Sequence, residues 1–181
     1  MARLCAAGIQ LREQIDDDYP DRDRKSDGWI ADSRHIAKGT SDHIPDAKSG
    51  IVRAIDVDSD LSAHKEEAYA LVEKIRKLAK KGDKRIAYII YDGKIMSPIL
   101  NWKRRSYRGA NPHRSHFHIS FTTLGDKDGS YFNLEGEANE RPKEDGRELG
   151  KDIPSNGTSD LSSSRSRCRC NCQCSSRISL A

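Results

Sequence analysis

The chain has 181 residues, of which 35% are hydrophobic and 33% charged. That is enough for one domain of ordinary size and a tail, and too little for two full domains. Its 32 Lys and Arg against 28 Asp and Glu leave a formal net charge of +4, too small to point by itself to a nucleic acid or a membrane surface. No run of about 18 apolar residues is present. The opening Met1 to Ile9 meets Gln10, Arg12 and Glu13 before a secretory core forms, so the expectation is a chain without an export signal, made in the cytoplasm and not inserted in a membrane.

Leu4, Leu11 and Ile15 recur at helical spacing, predicting a first helix that stops in the acidic, Pro20-containing stretch Asp16 to Asp23. Ile51 to Val57 follows Ser49-Gly50, is rich in β-branched residues and predicts a strand whose even positions share one face. A helix follows, with Ser62 as candidate N-cap and Glu66 and Glu67 in its early turns. Its apolar face is Ala68, Leu71, Val72, Ile75, Leu78 and Ala79, and it ends at Lys80-Lys81-Gly82. Ile86 to Tyr91, then Asp92-Gly93, then Lys94 to Met96 predicts a hairpin, because Asp-Gly suits the positive φ angles of a tight turn. In Ser115 to Phe121, alternation puts Phe117, Ile119 and Phe121 on one strand face and His116, His118 and Ser120 on the other. The fold class expected is α+β, a small antiparallel sheet with flanking helices.

From Gly136 onward apolar residues are sparse among Glu, Lys, Arg, Asp, Ser, Gly and Pro, and such a segment cannot bury enough surface to offset chain entropy. The domain is therefore expected over residues 1–135, with 136–181 a polar linker and a disordered Ser/Arg/Cys-rich tail. Cysteine usage fits this division: Cys5 stands alone, while Cys168, Cys170, Cys172 and Cys174 crowd into the tail. Alternating cysteines close no loops of a distant core. They are read as tail thiols, with soft-metal binding as the alternative.

The informative chemistry lies in histidine. Of His35, His43, His64, His113, His116 and His118, three fall within six residues. Side chains at i and i+2 on one strand face lie roughly 6–7 Å apart, so one imidazole can bind a metal while its neighbour meets water or substrate. The even face of the earlier strand presents Asp56, and the loop before it carries His43. A His/His/Asp set leaves one position of tetrahedral zinc open, as a catalytic site requires. Each piece also has a plainer reading: a packed His pair, an acidic turn, an exposed loop histidine. His64 is expected to be solvated, His113 to line a cleft rim, and Trp102 to be core or a stacking platform. The basic run Lys103 to Arg108 is read as solvated or facing an anionic polymer, with no nucleic-acid partner expected.

Ser41-x-His43, Ala54-x-Asp56 and His116-x-His118 resemble the S-x-H, A-x-D and H-x-H signatures of the zinc D-Ala-D-Ala carboxypeptidase and phage endolysin peptidase family. That family shares its fold with hedgehog domains and lysostaphin-type peptidases. The resemblance spans about Ser26 to Phe121. It implies a hedgehog/D-Ala-D-Ala peptidase-like fold, Zn2+ held by His43, Asp56 and His118, and catalysis by His116. It also places Arg34 as an upstream arginine that orients substrate or stabilises developing negative charge; a surface ion pair with Asp32 or Asp42 is the plainer role for Arg34. The chain departs from the usual motif in two ways. Twelve residues, Ile44 to Ile55, separate His43 from Asp56, more than usual, and Val52 stands where a Gly is expected. Ile44 to Gly50 reads as a loop insertion, which can lengthen at small entropic cost. His35 is the alternative first ligand.

The expected function is that of a zinc-dependent peptidoglycan peptidase, a cell-wall hydrolase of endolysin type. It would act as a monomer on the peptide stem or cross-link, and would accumulate in the host cytoplasm if the source is a phage. The alternative is a non-enzymatic or virion-associated wall-binding domain that keeps the metal-site fold.

Overall fold

The computed structural model describes residues 1–135 except Thr40, Ala63 and Lys65, and excepting the side chains of Arg34, His35 and Lys38. The predicted linker and cysteine-rich tail, 136–181, lie outside the described residues. Helices α1 (Ala6–Asp18), α2 (Ser33–Lys38) and α3 (Glu66–Lys81) accompany strands β1 (Arg3–Leu4), β2 (Ile51–Val52), β3 (Ala54–Asp58), β4 (Ile86–Tyr91), β5 (Lys94–Met96), β6 (Arg105–Ser106) and β7 (His116–Phe121). The domain is α+β. A five-stranded antiparallel sheet runs in the order β3-β7-β4-β5-β6, and β1 and β2 make a separate parallel pair.

The core follows from alternation. Ile55 and Val57 of β3 and Phe117, Ile119 and Phe121 of β7 turn to one sheet face. There they join Ala7, Leu11 and Ile15 of α1 and Leu71, Val72 and Ile75 of α3 in one buried cluster. Strand β4 breaks the alternation with a register shift against β7 between Ile86 and Tyr88. The extra residue lets both Ile86 and Ile89 face the core while Tyr88 turns to the opposite face. In α3, Glu66 and Glu67 open the helix and Lys80 and Lys81 close it, each sign set against the end of the helix dipole it favours.

Three expectations need correction. Leu4 belongs to β1, paired with Val52, and not to the first helix. Its side chain lies 3.0 Å from where a Cβ on Gly8 would sit, so a glycine at this point of α1 lets the strand fold back on the helix. The strand expected over Ile51 to Val57 divides at Arg53, which leaves the β1-β2 pair and bonds Asp126 with two hydrogen bonds of 2.7 Å. Ser62 does not cap α3; its hydroxyl accepts the His64 amide N–H at 3.0 Å, and the helix begins at Glu66. His64 is exposed, as expected, and Trp102 is core.

Strand β3 lies at the edge of the sheet, where an unpaired ladder would invite another chain. Residues 23–28 cover it. Gly28 exchanges two backbone hydrogen bonds with Asp56, at 3.0 and 2.7 Å, and the Asp23 amide donates to the Asp60 carbonyl. This segment is fastened by Arg22, whose fully buried side chain pairs with Asp16 at 2.8 Å and Asp27 at 2.6 Å. Asp27 in turn accepts the Asp58 amide at 2.8 Å.

The far end of the described chain returns to α1. Gln14 Nε2 donates to the Phe132 carbonyl at 2.9 Å, and the Phe132 amide donates to Gln14 Oε1 at 2.7 Å. The Arg85 guanidinium lies 3.7 Å from the Phe132 ring centroid. Gln14→Ala strands two buried backbone groups, and unfolding in urea is expected to show a loss of about 2–4 kcal/mol; a midpoint equal to wild type would contradict the pairing. Cys5 is buried, and burial pushes its thiol up. Iodoacetamide should leave Cys5 unmodified in the native chain and label it on unfolding, and fast native labelling at Cys5, read by peptide mass mapping, would contradict that.

Candidate metal centre

The face of the sheet opposite the core carries the polar residues. The antiparallel register sets Asp56 opposite His118, Asp58 opposite His116 and Ala54 opposite Ser120. On the other side of β7, Tyr88 faces Ser120 and Ile90 faces His118. Asp56, His116, His118, Tyr88 and Ile90 floor a cleft of about 550 Å³, whose walls include Gly28, Ala31, Tyr107 and His113.

His43 reaches the floor from the loop before β2. Its amide donates to the Ser41 hydroxyl at 3.3 Å, and its carbonyl accepts the Ala31 N–H at 2.9 Å. Because Gly28, three residues earlier, is bonded to Asp56, the loop is stitched to the strand that carries the carboxylate. The chain between His43 and β3 does not displace His43, since both of its ends are held.

The donor atoms converge. His43 Nε2 and His118 Nδ1 are 3.1 Å apart. His118 Nδ1 lies 2.9 Å from Asp56 Oδ1, and His43 Nε2 lies 3.2 Å from Asp56 Oδ2. Bonds of about 2.0–2.2 Å to a tetrahedral zinc set neighbouring donors about 3.3–3.6 Å apart, so the two imidazole nitrogens, at 3.1 Å, stand close to such an edge. Two neutral nitrogens and a carboxylate suit zinc, and three protein donors leave a position for water or substrate. His43, Asp56 and His118 form one group able to hold a metal, and Asp56, His113 and His116 form another.

Of the residues singled out in the sequence, His43, Asp56, His116 and His118 come together. His116 Nε2 is 3.9 Å from Asp56 Oδ1, beside the three donors. Arg34 and the alternative ligand His35 lie in α2, and their side chains fall outside those described.

His113 lines the cleft, in keeping with the expectation, and is largely buried there, with its ring 5.0 Å from that of His116 and 5.4 Å from that of His118. Its Nδ1 has no hydrogen-bond partner, and its φ is +52°, a conformation costly for a non-glycine residue and concentrated at functional sites. The proximity of His113 to His116-x-His118 was the available signal.

Electrostatics separates His43, His113 and His116. Burial opposes charge on Asp56, but whenever His118 and His43 are protonated their hydrogen bonds and positive charge outweigh it and hold the carboxyl well below its usual range. Burial likewise opposes charge on His43, and Asp56 overcomes it, so His43 is raised. Burial prevails at His116, which is lowered despite Asp56. It prevails further at His113, pushed down to about 4 with help from the charges of His118 and His116. His116 and His113 are therefore neutral bases near pH 7, free to take a proton.

A scan of protein-family models found no match to the chain, and searches of curated proteins and of solved structures found no similar protein. Among the described residues no helix is long and apolar enough to cross a membrane.

The lowered value of His113 sets a pH dependence. An unfolded histidine binds its proton near pH 6.5, and the folded His113 does so only near 4. The unfolded state therefore takes up the proton first as pH falls, and stability is lost between about 6.5 and 4. In the metal-free chain, His113→Asn, which tolerates positive φ, is expected to reduce that acid loss by on the order of 2–3 kcal/mol in urea unfolding at pH 7 and pH 4. Equal acid loss in both proteins would contradict it.

Proposed function

We propose that residues 1–135 form a zinc-dependent peptidoglycan peptidase, a cell-wall hydrolase of endolysin type on a hedgehog/D-Ala-D-Ala peptidase-like fold. The observation that carries this reading is the convergence of His43 Nε2, Asp56 and His118 Nδ1 beside a neutral His116 on the floor of an open cleft. The signature residues Ser41, His43, Ala54, Asp56, His116 and His118 add the substrate class.

His43, Asp56 and His118 would hold the zinc. When bound, zinc supplies Lewis acidity, lowering the pKa of water toward neutrality and polarising the scissile carbonyl. His116, poised as a neutral imidazole, takes the proton of the attacking water at a ring nitrogen and returns it to the leaving amine. His113, packed against His116, supplies a second imidazole that hydrogen-bonds the oxyanion or steadies the protonated His116. Arg34 is assigned by the resemblance to the anionic part of the peptide, where a guanidinium suits a carboxylate. Gly28, Ala31 and Asn111 line the cleft, and the small residues Gly28 and Ala31 leave room there for a peptide.

Hydrolysis of purified peptidoglycan, followed as release of new amino or carboxyl termini, tests this. Removal of zinc by a chelator is expected to abolish hydrolysis, and added zinc to restore it. His116→Ala is expected to lower kcat by about 10²–10⁴-fold while retaining zinc. A chelated chain that still binds walls, paired with an untreated chain that never releases termini, would favour the wall-binding alternative. A His116→Ala variant as fast as wild type would overturn the proton-transfer role.

A further inference from the structure

The far side of His118 carries a second set of contacts, independent of the metal-facing nitrogen. His118 Nε2 lies 2.9 Å from Ser120 Oγ, and Ser120 Oγ donates to Asp42 Oδ2 at 2.7 Å. A serine hydroxyl has one proton to give, and a carboxylate can only accept. With that proton directed to Asp42, the Ser120 oxygen accepts from His118 Nε2–H. A neutral imidazole protonated at Nε2 has a bare lone pair at Nδ1. That is the atom 2.9 Å from Asp56 Oδ1 and 3.1 Å from His43 Nε2. A lone pair facing a carboxylate oxygen at this distance is repulsive unless a cation lies with them.

Tyr88 steadies the same chain of contacts from two sides. Its hydroxyl donates to Asp42 Oδ2 at 2.7 Å, and its ring stacks on His118 with centroids 5.6 Å apart and planes 25° apart. Ser120 is fully buried, so its hydroxyl is not diverted to solvent. Asp42 also precedes His43 directly, so one stretch of loop delivers a ligand to one side of His118 and an acceptor to the other.

We propose that Ser120, Asp42 and Tyr88 are positioning residues that hold His118 in its Nε2–H tautomer and thereby present Nδ1 as a metal donor. The inference rests on the metal-site reading above. Hydrogen-bonded partners behind a ligating histidine orient the ring and raise its basicity, and losing one typically costs about 10- to 100-fold in metal affinity.

Two measurements on the full chain test it. Zinc affinity, by competition with a chromogenic chelator, is expected to fall about 10- to 100-fold in Ser120→Ala and in Asp42→Ala, and to recover in Ser120→Thr, which restores the hydroxyl. Long-range proton–nitrogen correlation spectra of the metal-free protein at pH 8 are expected to show His118 protonated at Nε2 in wild type and redistributed toward Nδ1 in Ser120→Ala. The wild-type spectrum decides the tautomer even if the variants fail to fold. His118 protonated at Nδ1 in wild type, or zinc affinity equal in wild type and both alanine variants, overturns the proposal. A wild-type chain with the expected tautomer that binds no zinc overturns the metal-site reading, a failure distinct from that of the tautomer assignment.

Discussion

The cleft depends on one register. Asp56 stands opposite His118 across the β3-β7 ladder, which puts an acid and a base on the same polar face while Ile55 and Ile119 meet on the core face. A slip of one residue in either strand would send the whole polar set into the core and the apolar set into water. The core residues thus enforce the geometry of the polar face: the packing of Phe117, Ile119 and Phe121 under α1 and α3 turns His116, His118 and Ser120 to that face, where His116 and His118 line the cleft. A third piece, His43, is brought to this row by backbone bonds that run from Asp56 through Gly28 to Ala31, so its position follows from the same strand.

The charges in this arrangement are mutually dependent. Asp56 is the carboxylate around which His43, His116 and His118 gather. When protonated, the two nearest imidazoles favour its ionised form, and it raises His43 in return. His116 is farther away and more strongly governed by burial, so the same carboxylate leaves it neutral. One acid therefore sits among histidines shifted in opposite directions, His43 raised and His116 lowered, in line with the roles of ligand and base proposed for them. Fastening of the covering segment 23–28 by the buried Arg22 protects both the edge of β3 and the approach of Gly28 to Asp56.

How much of this was legible depends on the range of the interactions. The alternation of β7, the Asp-Gly hairpin and the amphipathic face of α3 are local patterns with periods of two and 3.6 residues, and they read directly from the chain. His43, Asp56, His116 and His118 could be grouped because three short motifs agreed. The fate of Leu4, the bulge after Ile86 and the division of the strand at Arg53 depend on partners elsewhere, and no local pattern encodes them. Ser120 and Asp42 are 78 positions apart, and Gln14 and Phe132 are 118 apart; neither pair carries a motif. His113 follows Asn111-Pro112 in a loop, and only the folded backbone, at φ +52°, shows that it turns inward beside His116.

Zinc K-edge absorption of the zinc-loaded full chain distinguishes a metal held by histidine and aspartate from one held by cysteine. A metal on His43, Asp56 and His118 gives nitrogen and oxygen scatterers at about 2.0–2.2 Å, an outer-shell pattern of two imidazoles, and no sulfur. Sulfur scatterers near 2.3 Å, the distance of zinc–thiolate bonds, would place the metal on cysteine and contradict that assignment.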